Sequence, residues 1–121
     1  MIKKFTEDIY KELVIEGMKL YHHMYESQGK NRAENECNSG VIQIYDTLTE
    51  EQKNLFFGMM RQIIIDSIAS VFGVLDGSSN LNGKTYECEV IVDGVDMDHD
   101  LQDYFLSYVE MANADIDGSS C

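Results

Sequence analysis

From Lys3 to Ser27 the apolar residues Phe5, Ile9, Tyr10, Leu13, Val14, Met18, Leu20, Tyr21, Met24 and Tyr25 recur at intervals of three and four. At about 100° per residue they fill one broad face, with Asp8, Lys11, Glu12, Lys19, His22 and Glu26 opposite. The spacing predicts an amphipathic helix of several turns. Residues 28–39, QGKNRAENECNS, have no period and are expected to form a loop. The apolar residues Val41, Ile42, Ile44 and Tyr45 follow Gly40 with an ambiguous period. A short helix is favoured there, because Leu48-Thr49 leads directly into another.

Thr49-Glu50-Glu51-Gln52 has the form of a capping box, in which the threonine oxygen and the glutamine amide each satisfy a backbone N–H at a helix start. The apolar series Leu55, Phe56, Met59, Met60, Ile63, Ile64, Ile68, Val71, Phe72 and Leu75 then runs to Asp76-Gly77. It covers most of the helical circumference and leaves a narrow stripe of Gly58, Gln62, Asp66, Ala69 and Gly73. A helix apolar nearly all round is expected at the centre of the fold, from about Glu50 to Leu75, with Ile64 and Ile68 buried. The glycines and alanine of the stripe would let another backbone approach closely.

Residues 78–84, SSNLNGK, are rich in turn formers, and Asn82-Gly83 suits a tight reversal. Tyr86, Cys88, Val90 and Val92 alternate with Glu87, Glu89 and Ile91, which is the period of a half-buried strand. Asp93-Gly94 supplies a second reversal, and the strand's partner is expected near Leu81 or Val95–Met97. Leu101, Tyr104, Phe105, Tyr108, Val109 and Ala112 predict a last helix from about His99 to Asn113. The expected fold is α+β and mainly α: a single domain over residues 1–121, built around a long central helix. One small antiparallel hairpin precedes the last helix, and residues 113–121 form a polar tail.

Charge sharpens this picture. The chain carries 22 acids against 9 bases, a net charge of -13. From Thr85 to the C-terminus there are ten carboxylates and no lysine or arginine. Such a field repels nucleic acid and anionic lipid and favours a cationic partner. At 44% hydrophobic residues the chain is too apolar for disorder. The N-terminus has Glu7 and Asp8 where a signal peptide needs its apolar stretch, and runs such as Ile63-Ile64-Ile65 fall well short of a membrane span. A cytoplasmic protein without membrane or nucleic-acid partners is expected. Cys37, Cys88 and Cys121 lie far apart and odd in number, and are read as reduced, with Cys88 a small buried hydrophobe and Cys121 exposed.

No catalytic, cofactor or metal site emerges. Counted from Asp96, a calcium loop would need glycine at its sixth position and glutamate at its twelfth, where Leu101 and Ser107 stand. Asn113, Asp115, Asp117 and Gly118 have the opening spacing of such a loop, but the sequence stops at Cys121. His22 and His23 point to different sides of a helix, with no third ligand spaced to join them. Asp66 is expected at a rim, bonded to Gln62 one turn earlier. Glu34 and Glu36 beside Cys37 disfavour a thiolate nucleophile. Helix capping accounts for one of Asp96, Asp98 and Asp100. The set Glu87, Glu89, Asp93, Asp96, Asp98, Asp100 and Asp103 exceeds that need and is the candidate partner-binding surface.

The segment Ser70-Val71-Phe72-Gly73-Val74-Leu75-Asp76-Gly77, the strand Tyr86–Val92 and the run Asp100-Leu101-Gln102-Asp103-Tyr104-Phe105 together resemble small bacterial toxin-immunity proteins. These share a long helix ending in L-D-G, a short strand with D-G, and a D-L-x-D-x-F-type helix. The resemblance implies an acidic cytoplasmic inhibitor that binds a cognate toxin, its acidic face occluding a basic surface such as that of a nuclease domain. Two other classes stay open: a small enzyme with a carboxylate such as Asp66 in a helical cleft, and a structural or regulatory homo-oligomer, for instance a homodimer, that buries leftover apolar helix faces.

Overall fold

A computed structural model describes residues 1–27 and 36–115. In order, they form α1 (Ile2–Ile9), a π-helical stretch (Tyr10–Glu16), α2 (Gly17–Glu26), α3 (Glu36–Asp46), α4 (Glu50–Leu75), β1 (Ile91–Val92), β2 (Val95–Asp96) and α5 (Leu101–Asp115). The fold is α+β and mainly helical, with the long α4 central and one small antiparallel hairpin before the last helix. α3 opens at Glu36, inside the stretch expected to be loop, and α5 reaches Asp115, inside the expected polar tail. The rest of that loop and tail lies outside the described residues.

α1, the π-helical stretch and α2 are continuous, since the residues at both junctions keep right-handed helical angles. The winding change has a cause in the sequence. Thr6, Tyr10 and Val14 are buried, at successive steps of four residues. Four residues advance an α-helix by about 40° more than a full turn, so such a series drifts off its face. The wider i→i+5 winding over Tyr10–Glu16 holds it in line against the core. Thr6 Oγ1 donates back to the Ile2 carbonyl at 3.0 Å, so its hydroxyl is satisfied within the helix.

The capping box of α4 forms as spaced: Gln52 N donates to Thr49 Oγ1 at 3.1 Å, and Thr49 N donates to Gln52 Oε1 at 2.9 Å. Two hydrophobic clusters lie along α4. Near its start Tyr25, Ile42, Tyr45 and Phe57 join α2, α3 and α4, with ring pairs such as Tyr25–Tyr45 at 5.3 Å between centroids. Tyr45 donates its phenol proton to Glu26, and burial together with that bond raises the phenol above its ordinary range. Nearer its end Ile65, Ala69 and Phe72 pack with Tyr10, Val14, Met97, Leu101, Phe105 and Val109. Arg61 ties the N-terminal helix to α5, its Nη2 donating to Tyr10 Oη at 2.6 Å and to Asn113 Oδ1 at 2.8 Å.

The covered arc of α4 differs from the expected one. Ile65 is 1% exposed, whereas Ile64 and Ile68 are half-buried. Ala69 and Gly73 of the narrow stripe are buried, and their small size admits α5 as the stripe suggested: Gln102 Nε2 donates to the Ala69 carbonyl at 3.0 Å. Leu55, Met59, Ile63 and Val71 face outward instead. The most apolar 18-residue window of α4 has a mean hydropathy of 1.5, long and apolar enough by composition to span a membrane, and 22% of it is buried. Uninterrupted apolar runs do not reveal this, because Gln62, Asp66 and the serines break the runs while the mean over the window stays at 1.5.

Ile65→Ala should lower the unfolding free energy by about 2–5 kcal/mol, as expected for a fully buried aliphatic side chain. Ile63→Ala, two residues away, should stay within about 0.5 kcal/mol as an exposed substitution. Urea denaturation checks both, and equal losses would place the buried arc wrongly.

Candidate functional site

Both reversals expected between α4 and α5 form, each with two consecutive residues at positive φ. Asn82 and Gly83 have φ of 50° and 77°, and the exchange of hydrogen bonds between Leu81 and Lys84, at 2.8 and 2.9 Å, closes the first. Asp93 and Gly94, at 50° and 78°, join β1 to β2. Positive φ at both central positions fits the right-handed twist of a tight hairpin, and Asn, Asp and Gly tolerate it. The register pairs Ile91 with Asp96 and Val92 with Val95. Only two residues per strand pair. Tyr86, expected within the strand, is 45% exposed with Lys84 Nζ 4.5 Å above its ring, and Cys88 is half-buried.

Beyond β2 the chain is anchored by Met97, which is 1% exposed in the core and whose N–H donates to the Val90 carbonyl at 2.9 Å. Asp98 and His99 follow at φ of 55° and 57°, two successive left-handed residues that turn the chain into α5. This is why α5 starts at Leu101 and not at His99. Asp96 Oδ1 accepts from Asp98 N at 2.7 Å, and His99 Nε2 is 3.0 Å from the Cys88 carbonyl.

The acid that caps α5 comes from elsewhere. Asp76 Oδ1 accepts from Leu101 N at 3.1 Å and Asp76 Oδ2 from Gln102 N at 2.8 Å, so one carboxylate satisfies two amides of the first turn and faces the positive end of its dipole. Asp76 is placed by the way α4 ends. Gly77 takes φ of 82°, its N–H donates to the Val74 carbonyl at 3.1 Å, and Ser78 N donates to the Gly73 carbonyl at 2.9 Å, the paired bonds of a Schellman end. A Cβ at Gly73 would stand 2.8 Å from both Gln102 Nε2 and Ser79 Oγ, so that position admits no side chain without displacing them. The L-D-G and D-L-Q segments of the sequence are thus the two halves of one joint.

Glu87, Glu89, Asp93, Asp96, Asp98, Asp100 and Asp103 are all exposed. Four of them, Asp93, Asp96, Asp98 and Asp100, lie on the hairpin and the turn after it, Glu87 and Glu89 lie just before, and Asp103 is in the first turn of α5. Glu87, Glu89 and His99 line one open depression, while Asp103 lines another together with Lys3 and Thr6. The ion pairs of the described residues are Lys4–Asp8, Lys11–Glu7, Lys19–Glu16 and Lys53–Glu50, so none of the seven acids is neutralised by one. Sequence reasoning found this acidic stretch but missed Asp76, Gln102 and His99, which organise it. Asp76 was visible as the residue before the helix-ending glycine, yet nothing local shows which distant amides it meets.

Other candidates stand apart. Asp66 is exposed and accepts from Gln62 Nε2 at 2.8 Å, the rim position expected of it. His22 is exposed and stacked on Phe57 at 3.6 Å between centroids. Asn113 bonds Arg61 and Asp115 ends α5, while the side chains of Asp115 and Cys37, and Asp117, Gly118 and Cys121, lie outside what is described. Among the described residues no three His, Cys, Asp or Glu side chains converge to hold a metal. The chain matches no protein-family model, and neither a curated protein nor a solved structure matches it.

Asp76→Ala should cost about 1–3 kcal/mol in urea denaturation, because two amides lose a charged acceptor, and Asp76→Asn should recover part of that loss. A chelator is expected to leave the melting temperature unchanged, and calorimetry with calcium should show no stoichiometric binding near micromolar strength.

Proposed function

We propose that this chain is a protein-binding inhibitor, most concretely an immunity protein, whose acidic face from Glu87 to Asp103 occludes a cationic surface of a cognate toxin. The observation that carries the reading is that seven exposed carboxylates crowd this short stretch without an ion-pair partner among the described residues. Acids that serve only solubility are better interspersed with bases, since like charges held together repel. A basic surface brought against them removes that repulsion.

The scaffold suits the task. Asp93, Asp96, Asp98 and Asp100 sit on a hairpin and a turn pinned by Met97 and by the Asp76 joint, so little backbone freedom is lost on docking. Uncompensated rim charge acts chiefly on association rate, as an inhibitor that must intercept its target requires. The arrangement would present carboxylates where a nuclease expects phosphates. The enzyme alternative draws nothing from Asp66, which is exposed and engaged by Gln62.

The immobilised chain should retain a basic protein from a lysate of the cell that encodes it. With that protein purified, D98N/D100N/D103N should slow association while the melting temperature holds, asparagine keeping size and much of the capping capacity. Raising salt should shrink the difference between variant and parent. Equal association rates at low salt would show that the acidic face is merely solvated.

A further inference from the structure

The side of α4 opposite the arc that packs on α5 carries a ridge at four-residue steps: Leu55, Met59, Ile63, Ser67 and Val71. Its four apolar members are 55–58% exposed. Alongside it the N-terminal helix turns Leu13, Leu20 and Tyr21 outward, with Leu20 66% exposed. An open groove runs between the two helices over Gly17, Ile64, Ser67 and Ile68, and a Cβ at Gly17 would meet nothing within 4 Å. The charged side chains lining it are Glu12 and Glu16. Glu16 is held by Lys19 at 2.9 Å, whereas Glu12 has no ion-pair partner among the described residues.

We infer that this groove is a second interaction surface, which receives an amphipathic helix from a basic protein. The partner helix lays apolar residues spaced i, i+4 and i+7 between the ridge and Leu13, Leu20 and Tyr21, with lysine or arginine at its edge against Glu12 and Glu16. A ridge at four-residue steps beside a groove is the shape that helix-on-helix packing uses, and Leu55 to Val71 spans about 24 Å at 1.5 Å per residue, room for four turns. Charge selects the occupant. A second copy would bring the same Glu12 and Glu16 and another net charge of -13, and an anionic bilayer meets the same repulsion. A basic helix alone gains from both the apolar floor and the acidic edge.

The probe is a labelled peptide of about fourteen residues with leucine on one helical face and lysine on the other, read by fluorescence anisotropy at about 0.15 M salt, where exposed charges are screened beyond roughly 8 Å. L20S/I63S should weaken its binding roughly tenfold or more, the loss expected when two aliphatic contacts disappear. E12Q/E16Q should weaken it at low salt, and the same peptide with glutamate for lysine should bind far less. D98N/D100N/D103N should keep the dependence on Leu20 and Ile63, which separates this surface from the acidic face proposed above. Because all four groove substitutions are at exposed positions, circular dichroism should match the parent. Equal binding by L20S/I63S overturns the inference. So does a dimer in sedimentation equilibrium that L20S/I63S dissolves, which would make the occupant a second copy. Binding to phosphatidylcholine vesicles that L20S/I63S abolishes, without peptide binding, overturns it in favour of a membrane.

Discussion

One carboxylate, Asp76, holds the end of α4 to the start of α5, and the placement of the acidic segment depends on it. The chain leaves α4 at Leu75 and returns to begin α5 at Leu101, passing through two tight reversals and a two-residue hairpin, too little sheet to fix its own position. Asp76 closes that excursion by accepting from Leu101 N and Gln102 N, and Gln102 replies by donating to the Ala69 carbonyl. The joint therefore runs in both directions. Two N-terminal amides that would otherwise lack partners are satisfied, and a negative charge sits at the positive end of the α5 dipole.

Packing and charge are separated by this arrangement. Met97, Leu101 and Phe105 drop into the core from the inner side of the turn and of α5, and the aspartates between and around them are left outside. Each inward residue thus fixes the outward direction of its acidic neighbours, so the carboxylates are displayed by burial of other side chains and not by ion pairs of their own. On α4 the consequence differs. A helix apolar nearly all round meets α5 and the N-terminal helix on one arc only, leaving the ridge from Leu55 to Val71 uncovered.

Periodicity made most of the architecture legible. The capping box at Thr49, the span Glu50–Leu75, the reversals at Asn82-Gly83 and Asp93-Gly94 and the hairpin before the last helix follow from local chemistry, and local chemistry is what a sequence displays directly. What could not be read was which partner each surface meets. The wheel of α4 pointed to Ile64 and Ile68 where Ile65 is the buried residue, because the buried arc is decided by where α5 arrives. Ala69 and Gly73 were legible as small residues that admit a close neighbour, but the wheel did not show that the neighbour is Gln102 of α5. The acidic stretch was legible as charge, while its geometry depends on Asp76, about twenty-five residues from the amides it caps, and on two left-handed residues, Asp98 and His99, that no pattern announces.

If Asp76 is the joint on which α5 and the acidic turn depend, its bonds have a direct readout. Amide hydrogen exchange at Leu101 and Gln102 measures whether those N–H groups are held, residue by residue. They should be protected like the amides inside α5, and Asp76→Ala should release both and speed exchange along the turn from Met97 to Asp100 while the centre of α4 keeps its protection. Rapid exchange at Leu101 and Gln102 in the unaltered protein, or protection that survives Asp76→Ala, would contradict the account.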